Sequence, residues 1–477
     1  NDRPHLQLAA HLPSQDDGSW VVNADGTMKT TYTLSADVKW QDGHPLTADD
    51  FVFANTVYTD DQIPTEDRIP ESLVTGMVAR DAQTLEISWR QPYLQAGALT
   101  LNEFVPLPRH LLGDLYAQHD GGFVTSTFWT GPDKVGSGPY RPTAWERGVE
   151  ITLAANPYFP LGKPKIDTLH VLFVADANTV IARMLAGAVD VFPTATTQQA
   201  LTLEEANGGQ VFIPALKARR LYYQFRDVPG YQKAVQDIRV RQAFLHAIDR
   251  EALANGVQGR LGVAADTAYP RAHLLFPRID AAIAKYPYDV TRAQALLRDA
   301  GWTAGADGLL RDAGGNTLDA EIRSTDGQDS AIIADFWRRA GINSIPLTLN
   351  GQQKRDDEFR ANFPATQIQS GNGFVTRLAT ASAPTAANRY RSPENRGTYS
   401  NPEYDRLYTL QLTTLDRAAR DNVLIDIERL ITTDVAAGYL MQDPSPLVVR
   451  SNVKGPVNGA REIGDPFWNI SQWSVEG

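Results

Sequence analysis

The chain has 477 residues, 42% of them hydrophobic and 21% charged, which is too long for one core and too apolar for a disordered polypeptide. A formal net charge of -11, from 45 basic and 56 acidic residues, argues against a nucleic-acid scaffold, and no basic run is interleaved with aromatics. Zero cysteines exclude disulfides, thiolate catalysis, iron–sulfur clusters and cysteine zinc sites, and no apolar run approaches the ~20 residues that span a bilayer.

The start, Asn1-Asp2-Arg3-Pro4, shows no signal peptide and reads as a cut end. Trp20 and Val22 precede Asp25-Gly26, a pair suited to a hairpin turn, and a strand follows from Met28. Tyr32, Leu34, Val38 and Trp40 alternate as the inward face of that strand. Asp42-Gly43-His44-Pro45 breaks it, and Thr47 caps a helix with Asp50 three residues on and Phe51, Ala54, Val57 and Tyr58 at helical spacing. The segment 60–70 is polar and proline-bearing, a loop. A second hairpin covers 78–89, with Leu85, Ile87 and Trp89 alternating.

Val135-Gly136-Ser137-Gly138-Pro139-Tyr140 lacks both the phosphate-loop ending Gly-Lys-Ser/Thr and the Gly-x-Ser-x-Gly nucleophile pattern, so it reads as a turn. A strand over 168–174, a helix capped by Asp176 and a strand over 189–192 predict a right-handed parallel crossover. Arg220 to Phe225 reads as a strand, and Asp237 caps a helix running to Arg250 with Val240, Ala243, Phe244, Ala247 and Ile248 on one face. Asp289 caps another helix, ended by Gly301. A second strand–helix–strand unit spans 318–349, residues 352–388 read as irregular, and Asn401-Pro402 and Asp416 open two further helices before a strand at 447–449.

No chemistry is visible along the chain. The eight histidines are scattered without an H-E-x-x-H pattern, adjacent acidic pairs such as Asp49-Asp50 point in different directions, and no twelve-residue calcium loop is present. No cofactor and no metal are therefore expected. Trp40, Trp89, Trp302 and Trp337 lie on periodic apolar faces and read as core, whereas Trp129 sits in a polar, glycine-rich loop and is a candidate lining residue.

Several of these segments, in this order, resemble the extracytoplasmic solute-binding proteins of peptide/nickel/oligosaccharide ABC transporters (family 5, cluster C type). The resemblance rests on Val38-Lys39-Trp40, Asp42-Gly43, Pro45-Leu46-Thr47-Ala48 and Asp50-Phe51-Val52, then on Phe104 to His110, Gly136-Ser137-Gly138-Pro139-Tyr140 and Asn156-Pro157-Tyr158-Phe159. The helices from Asp237, Asp289 and Ser400 continue it. It implies an α/β protein of the two-lobed periplasmic-binding-protein (Venus-flytrap) fold, type II, with mixed sheets and an extra α/β subdomain. The implied divisions are 1–145 for that subdomain, 146–250 with 452–477 for the main sheet of the first lobe, and 251–451 for the second lobe.

The implied function is capture of an oligopeptide, oligosaccharide or similar polar solute between the lobes and delivery to the permease, by a monomer outside the cytoplasm that meets the membrane through the permease or a lost lipid anchor. A hydrolase on the same scaffold and a sensory binding module are the rival readings. Relatives carry a strand before the region matching Pro4; its lack here predicts a truncated chain with an unpaired sheet edge. Peptide binders also carry a tryptophan and an aspartate where this chain has Ser370-Gly371-Asn372-Gly373-Phe374-Val375-Thr376-Arg377. Asn372, Phe374 and Arg377 are therefore expected to line the cleft, with Arg360 near the family's carboxylate-binding arginine. By position, Tyr223, Gln224, Thr194, Thr196, Asn102 and Glu103 are further lining candidates.

Overall fold

The computed structural model describes residues 6–63, 71–97, 104–118, 121–193, 196–371, 377–392, 394–459 and 465–476. The first unit comprises β1 (Ala9–His11), β2 (Trp20–Val22), β3 (Met28–Leu34), α1 (Ala48–Thr59), β4 (Val74–Ala79) and β5 (Thr84–Trp89). The strands form one antiparallel sheet in the order β1-β3-β5-β4, with β2 also on β3. Met28 stands opposite Trp89 and Tyr32 opposite Leu85, so the alternating apolar residues share one face and pack against Trp40 and Phe51. Each such fully buried side chain contributes roughly 1.5–3 kcal/mol.

β3 ends at Leu34 rather than continuing through Trp40. The chain turns at Ser35, Lys39 bridges Pro45, and Val38 and Trp40 are still buried because the turn folds back onto the sheet. The buried Asp50 ties this turn together: its carboxylate accepts from the Trp40 indole at 3.2 Å, the Thr47 amide at 2.9 Å and the Arg109 amide at 3.0 Å.

Next come α2 (Arg109–Ala117) and α3 (Gly122–Thr125), packed on α1 through Phe53, Val57, Leu112 and Phe123. β6 (Tyr140–Glu146), β7 (Glu150–Ala155) and β8 (Thr168–Leu172) form a three-stranded antiparallel sheet. The glycine-rich turn before β6 is a clamp. Gln41 donates to the Gly138 and Tyr140 carbonyls at 3.0 and 2.7 Å and accepts from the Gly136 amide at 2.9 Å, tying the first unit to this sheet.

α4 (Ala177–Leu185) is capped by Asp176, as its sequence predicts, and leads to β9 (Val191–Phe192) and α5 (Thr197–Glu205). The parallel crossover expected here is not formed among the described residues. β8 pairs with β7, while the two-residue β9 pairs antiparallel with a strand from the far end of the chain.

That strand belongs to the large sheet, which begins with β10 (Gln210–Tyr223). Then follow α6 (Ile238–His246), α7 (Arg250–Gln258), β11 (Val263–Ala264), α8 (Phe276–Ala282), α9 (Val290–Asp299) and the small ribbon β12 (Thr303–Ala304) with β13 (Leu310–Arg311). β14 (Asp319–Ser324), α10 (Gly327–Arg339) and β15 (Asn343–Thr348) make the predicted parallel unit, followed by α11 (Asp357–Ala361) and β16 (Thr366–Gly371). α12 (Pro402–Thr413), α13 (Arg417–Asp434), β17 (Ala437–Val449), β18 (Val453–Lys454) and β19 (Ser474–Val475) complete the chain.

The sheet order is β11-β17-β10-β16-β14-β15, with β9 on β17. One core holds α6, α9 and α10 through Phe244, Leu297 and Trp337; another holds α8, α12 and α13 through Ile279, Tyr404 and Ile431. The helix predicted from Asp237 to Arg250 is split in two: α6 ends at His246 and Asp249 caps α7.

The segment 352–388, read as irregular, contains the central strand β16, antiparallel to β10 and parallel to β14. Its polar composition hides it, although Thr366, Gln367 and Ile368 are all buried. β10 and β17 slip register between Phe212 and Ala215, where Pro214, Pro444 and Pro446 lie. Proline has no N–H to give the ladder, so this is where the paired strands are weakest.

Candidate functional site

β10 and β16 place Tyr222 opposite Gln367 and Arg220 opposite Gln369, so these four side chains share one face of the large sheet. The loop after Ser392 is laid against this face by backbone contact. The Phe225 amide donates to the Gly397 carbonyl at 2.8 Å, and a Cβ at Gly397 would come 1.9 Å from the Tyr223 carbonyl, so only glycine fits. Next to it, β-branched Thr398 is held at φ 61, a strained conformation of the kind found at ligand clamps.

This packing brings Glu394 to 3.7 Å from Arg220, and lets Arg396 donate to Gln369 Oε1 at 2.5 Å. Arg360, on α11, stands close enough to repel Arg396. Burial, and then the Arg360 charge, hold the Arg396 guanidinium down at about 10, and burial also lowers Arg360. The Nε atoms of both arginines and the Oε1 of Gln367 are buried with no hydrogen-bond partner among the described residues. Asp357 acts favourably on both guanidiniums and Glu394 on Arg396, and a further anion brought between the two arginines would relieve more of their repulsion.

Gly371 and Arg377 are each held close to Glu394 at this face. A Cβ on Gly371 would come 2.2 Å from Arg220 Nη1 and 2.8 Å from Glu394 Oε1, and the Arg377 amide donates to Glu394 Oε2 at 2.8 Å. Of the lining candidates, Asn372 and Phe374 lie outside the described residues, as do Thr194, Asn102 and Glu103. Arg360 and Arg377 both belong to the neighbourhood of this face. Gln224 is fully buried, and its amide donates to the Ala361 and Phe363 carbonyls at 3.0 and 2.8 Å, which fixes the end of α11 that carries Arg360. Tyr223 is fully buried in the core. Thr196 caps α5 by accepting from the Gln199 amide at 3.3 Å. Trp129 is half-buried, donates to the Phe123 carbonyl at 2.6 Å and stacks edge-on with Phe123 and Phe128.

Arg396, Arg220, Glu394, Gln367 and Gln369 carry no local sequence signal. They meet only through strand register and a long connection, and a polar strand flanked by arginines is the one hint the sequence contains.

A second charged cluster surrounds Arg219, at the other register shift of β10 and β17, between Arg219 and Arg220. Arg219 reaches Asp326 at 3.0 Å, Asp329 at 2.7 Å and Asp443 at 2.9 Å. Asp443 also accepts hydrogen bonds from Ser370, beside Gly371, and from Gln258 of α7. Burial pushes the Asp329 carboxyl up to about 6 against the pull of Arg219. A hydrolase reading would need a carboxylate pair open to substrate. Asp329 is 1% exposed, and Arg219 stands among the carboxylates, so this cluster is an ion-pair network.

No helix among the described residues is long and apolar enough to cross a membrane. The sequence profile of the bacterial extracellular solute-binding proteins, family 5 Middle, matches residues 17–385. Protein XP55 of Streptomyces lividans is 28% identical over 448 residues, 91% of this chain and 75% of that protein. A Deinococcus radiodurans protein described as "Probable ABC transporter-binding protein" is 28% identical over 382 residues, 72% of this chain and 64% of that relative. The chain thus spans less than two thirds of that relative, and 58% of the oligopeptide-binding protein AppA of Bacillus subtilis, to which it is 25% identical.

Among solved structures, a periplasmic oligopeptide-binding protein of Thermotoga maritima superposes with a TM-score of 0.81 at 20% identity, covering 98% of this chain and 90% of that one. NikZ from Campylobacter jejuni, solved with Ni(L-His), gives 0.76 at 20% identity, covering 96% and 90%. These likenesses carry the fold: α/β, two-lobed, type II, with mixed sheets. The chain belongs to the bacterial extracellular solute-binding proteins of family 5.

Proposed function

We propose that the protein is the substrate-binding component of an ABC importer, that it works outside the cytoplasm, and that its solute is an oligopeptide or similar polar molecule carrying a carboxylate. The observation that carries this reading is the pair of half-buried Arg360 and buried Arg396, whose Nε atoms are both buried without a hydrogen-bond partner among the described residues, beside the Tyr222–Gln367 face that Arg396 joins through Gln369. A ligand carboxylate placed there gains charge-assisted hydrogen bonds that roughly double the strength of neutral ones. Asn372, Phe374 and Arg377 are assigned to the wall of the same site, with Gln224 as a support that positions α11.

The lobe division follows the slip in β10 and β17. Setting it at Pro214 and at Pro444 to Pro446 takes α6 and α7 with the second lobe, because α6 shares its core with α9 and α10. A solute touching both lobes then shifts the population to the closed form by its differential affinity for that form. The test is native mass spectrometry of the purified protein, followed by solution scattering with and without the molecule it carries. A carboxylate-bearing solute and a smaller radius of gyration are expected; a ligand without an anionic group, or an unchanged radius, would contradict the reading.

A further inference from the structure

We propose that Asp42, His44 and His110 form a surface site for a divalent transition-metal ion of the zinc, nickel or copper class, separate from the solute site. The histidines are far apart in sequence, but the fold brings one ligand atom from each of these three residues within 4.8 Å of the others. Asp42 Oδ2 lies 2.7 Å from His110 Nε2 and 3.8 Å from His44 Nδ1, and the two imidazole rings stack with centroids 4.2 Å apart. Two imidazoles and one carboxylate are the donor set that borderline divalent ions prefer, with a fourth position left for water.

The backbone around the site is held in advance. Asp42 Oδ1 accepts from the His44 amide at 3.1 Å, Gly43 takes φ 91 at the tip of the turn, and the Trp40 amide donates to the His44 carbonyl at 2.8 Å. On the other side, the Arg109 amide is fixed by Asp50 Oδ1, which sets the first turn of α2 and therefore His110. A tetrahedral ion with bonds of about 2.0–2.2 Å needs its ligand atoms roughly 3.4 Å apart. The Asp42–His110 contact must therefore open and the Asp42–His44 contact must shorten, each by well under 1 Å or so.

The stacked rings, 14° from parallel, do not aim both lone pairs at one point, so His44 must swing out of the stack. Its side chain is 62% exposed, and little opposes that rotation. His110, with 21% of its side chain exposed, is the fixed ligand. An ion held here cross-links the turn that opens α1 to the first turn of α2 and stiffens the first unit.

The test is calorimetric titration of the chelator-treated full chain with zinc chloride and with nickel chloride, alongside His44→Ala. One ion per chain and a raised melting temperature are expected. His44→Ala is expected to weaken zinc binding by at least ~10-fold, since even losing a group that only supports a ligand costs that much. It is also expected to leave solute affinity unchanged. Equal zinc affinity of the two proteins would place the ion elsewhere and overturn the proposal, as would no binding to the full chain at millimolar zinc.

Discussion

Arg360 and Arg396 repel each other across a buried face on which neither Nε has a partner among the described residues. Asp357 offsets part of this repulsion at both arginines, and on the proposed reading a solute carboxylate lying between them offsets the rest. Charged hydrogen bonds of this kind are worth about 1.5–3 kcal/mol each. Arg396→Gln is therefore expected to weaken binding of a carboxylate solute at least ~10-fold while leaving the ligand-free melting temperature equal or higher. Calorimetry and differential scanning fluorimetry read the two effects.

The glycines at the loop anchors separate binding from folding. Gly371→Ala pushes a Cβ onto Arg220 and Glu394, the far ends of side chains, and is expected to reduce affinity with a modest loss of stability. Gly397→Ala meets the Tyr223 carbonyl, which is backbone, and is expected to cost several kcal/mol, roughly 3 or more. Chemical denaturation of the two variants gives the ranking, and the reverse order would show that the loop is not laid on β10 as described.

Asp329 supplies a pH dependence whose sign is set. Its folded carboxyl, near 6, lies above the unfolded value of 3.8, so the folded state binds its proton more tightly. The group's penalty is present in full above 6 and is relieved as pH falls from 6 towards 4. A shift of this size corresponds to about 3 kcal/mol at most. Asp329→Asn is therefore expected to raise stability at pH near 8, where Asp326 and Asp443 still pair with Arg219, and to flatten the melting temperature against pH between about 4 and 6. An Asn variant less stable at every pH would show that the ion pair outweighs its desolvation.

Gln41 is the fourth test. Its three hydrogen bonds to the Gly136–Tyr140 turn are worth about 0.5–1.5 kcal/mol each. Gln41→Ala is expected to speed hydrogen exchange at Gly136 to Tyr140 without changing solute affinity.

Local chemistry was legible in the sequence, and long-range register was not. The Thr47 turn, the Asp176, Asp237 and Asp289 caps and the Leu85-Ile87-Trp89 face all form as their spacing predicts, because each is decided within a few residues. The colinear motifs pointed to the family for the same reason. β16 escaped because Gln367, Gln369 and Ser370 are polar in a central strand, where they serve the site face and the Asp443 network rather than an apolar core. Arg396 escaped with it: nothing in Glu394-Asn395-Arg396-Gly397 says that the loop will lie against Tyr223. The short β9 likewise chose a partner from the far end of the chain.

Calorimetric titration of a carboxylate-ended oligopeptide against its C-terminal amide, in the natural chain and in Arg360→Gln/Arg396→Gln, tests the central claim most directly. The natural chain is expected to prefer the acid by at least ~10-fold and the double variant to bind both alike. Equal binding of acid and amide by the natural chain, or a preference that survives in the double variant, would contradict the assignment.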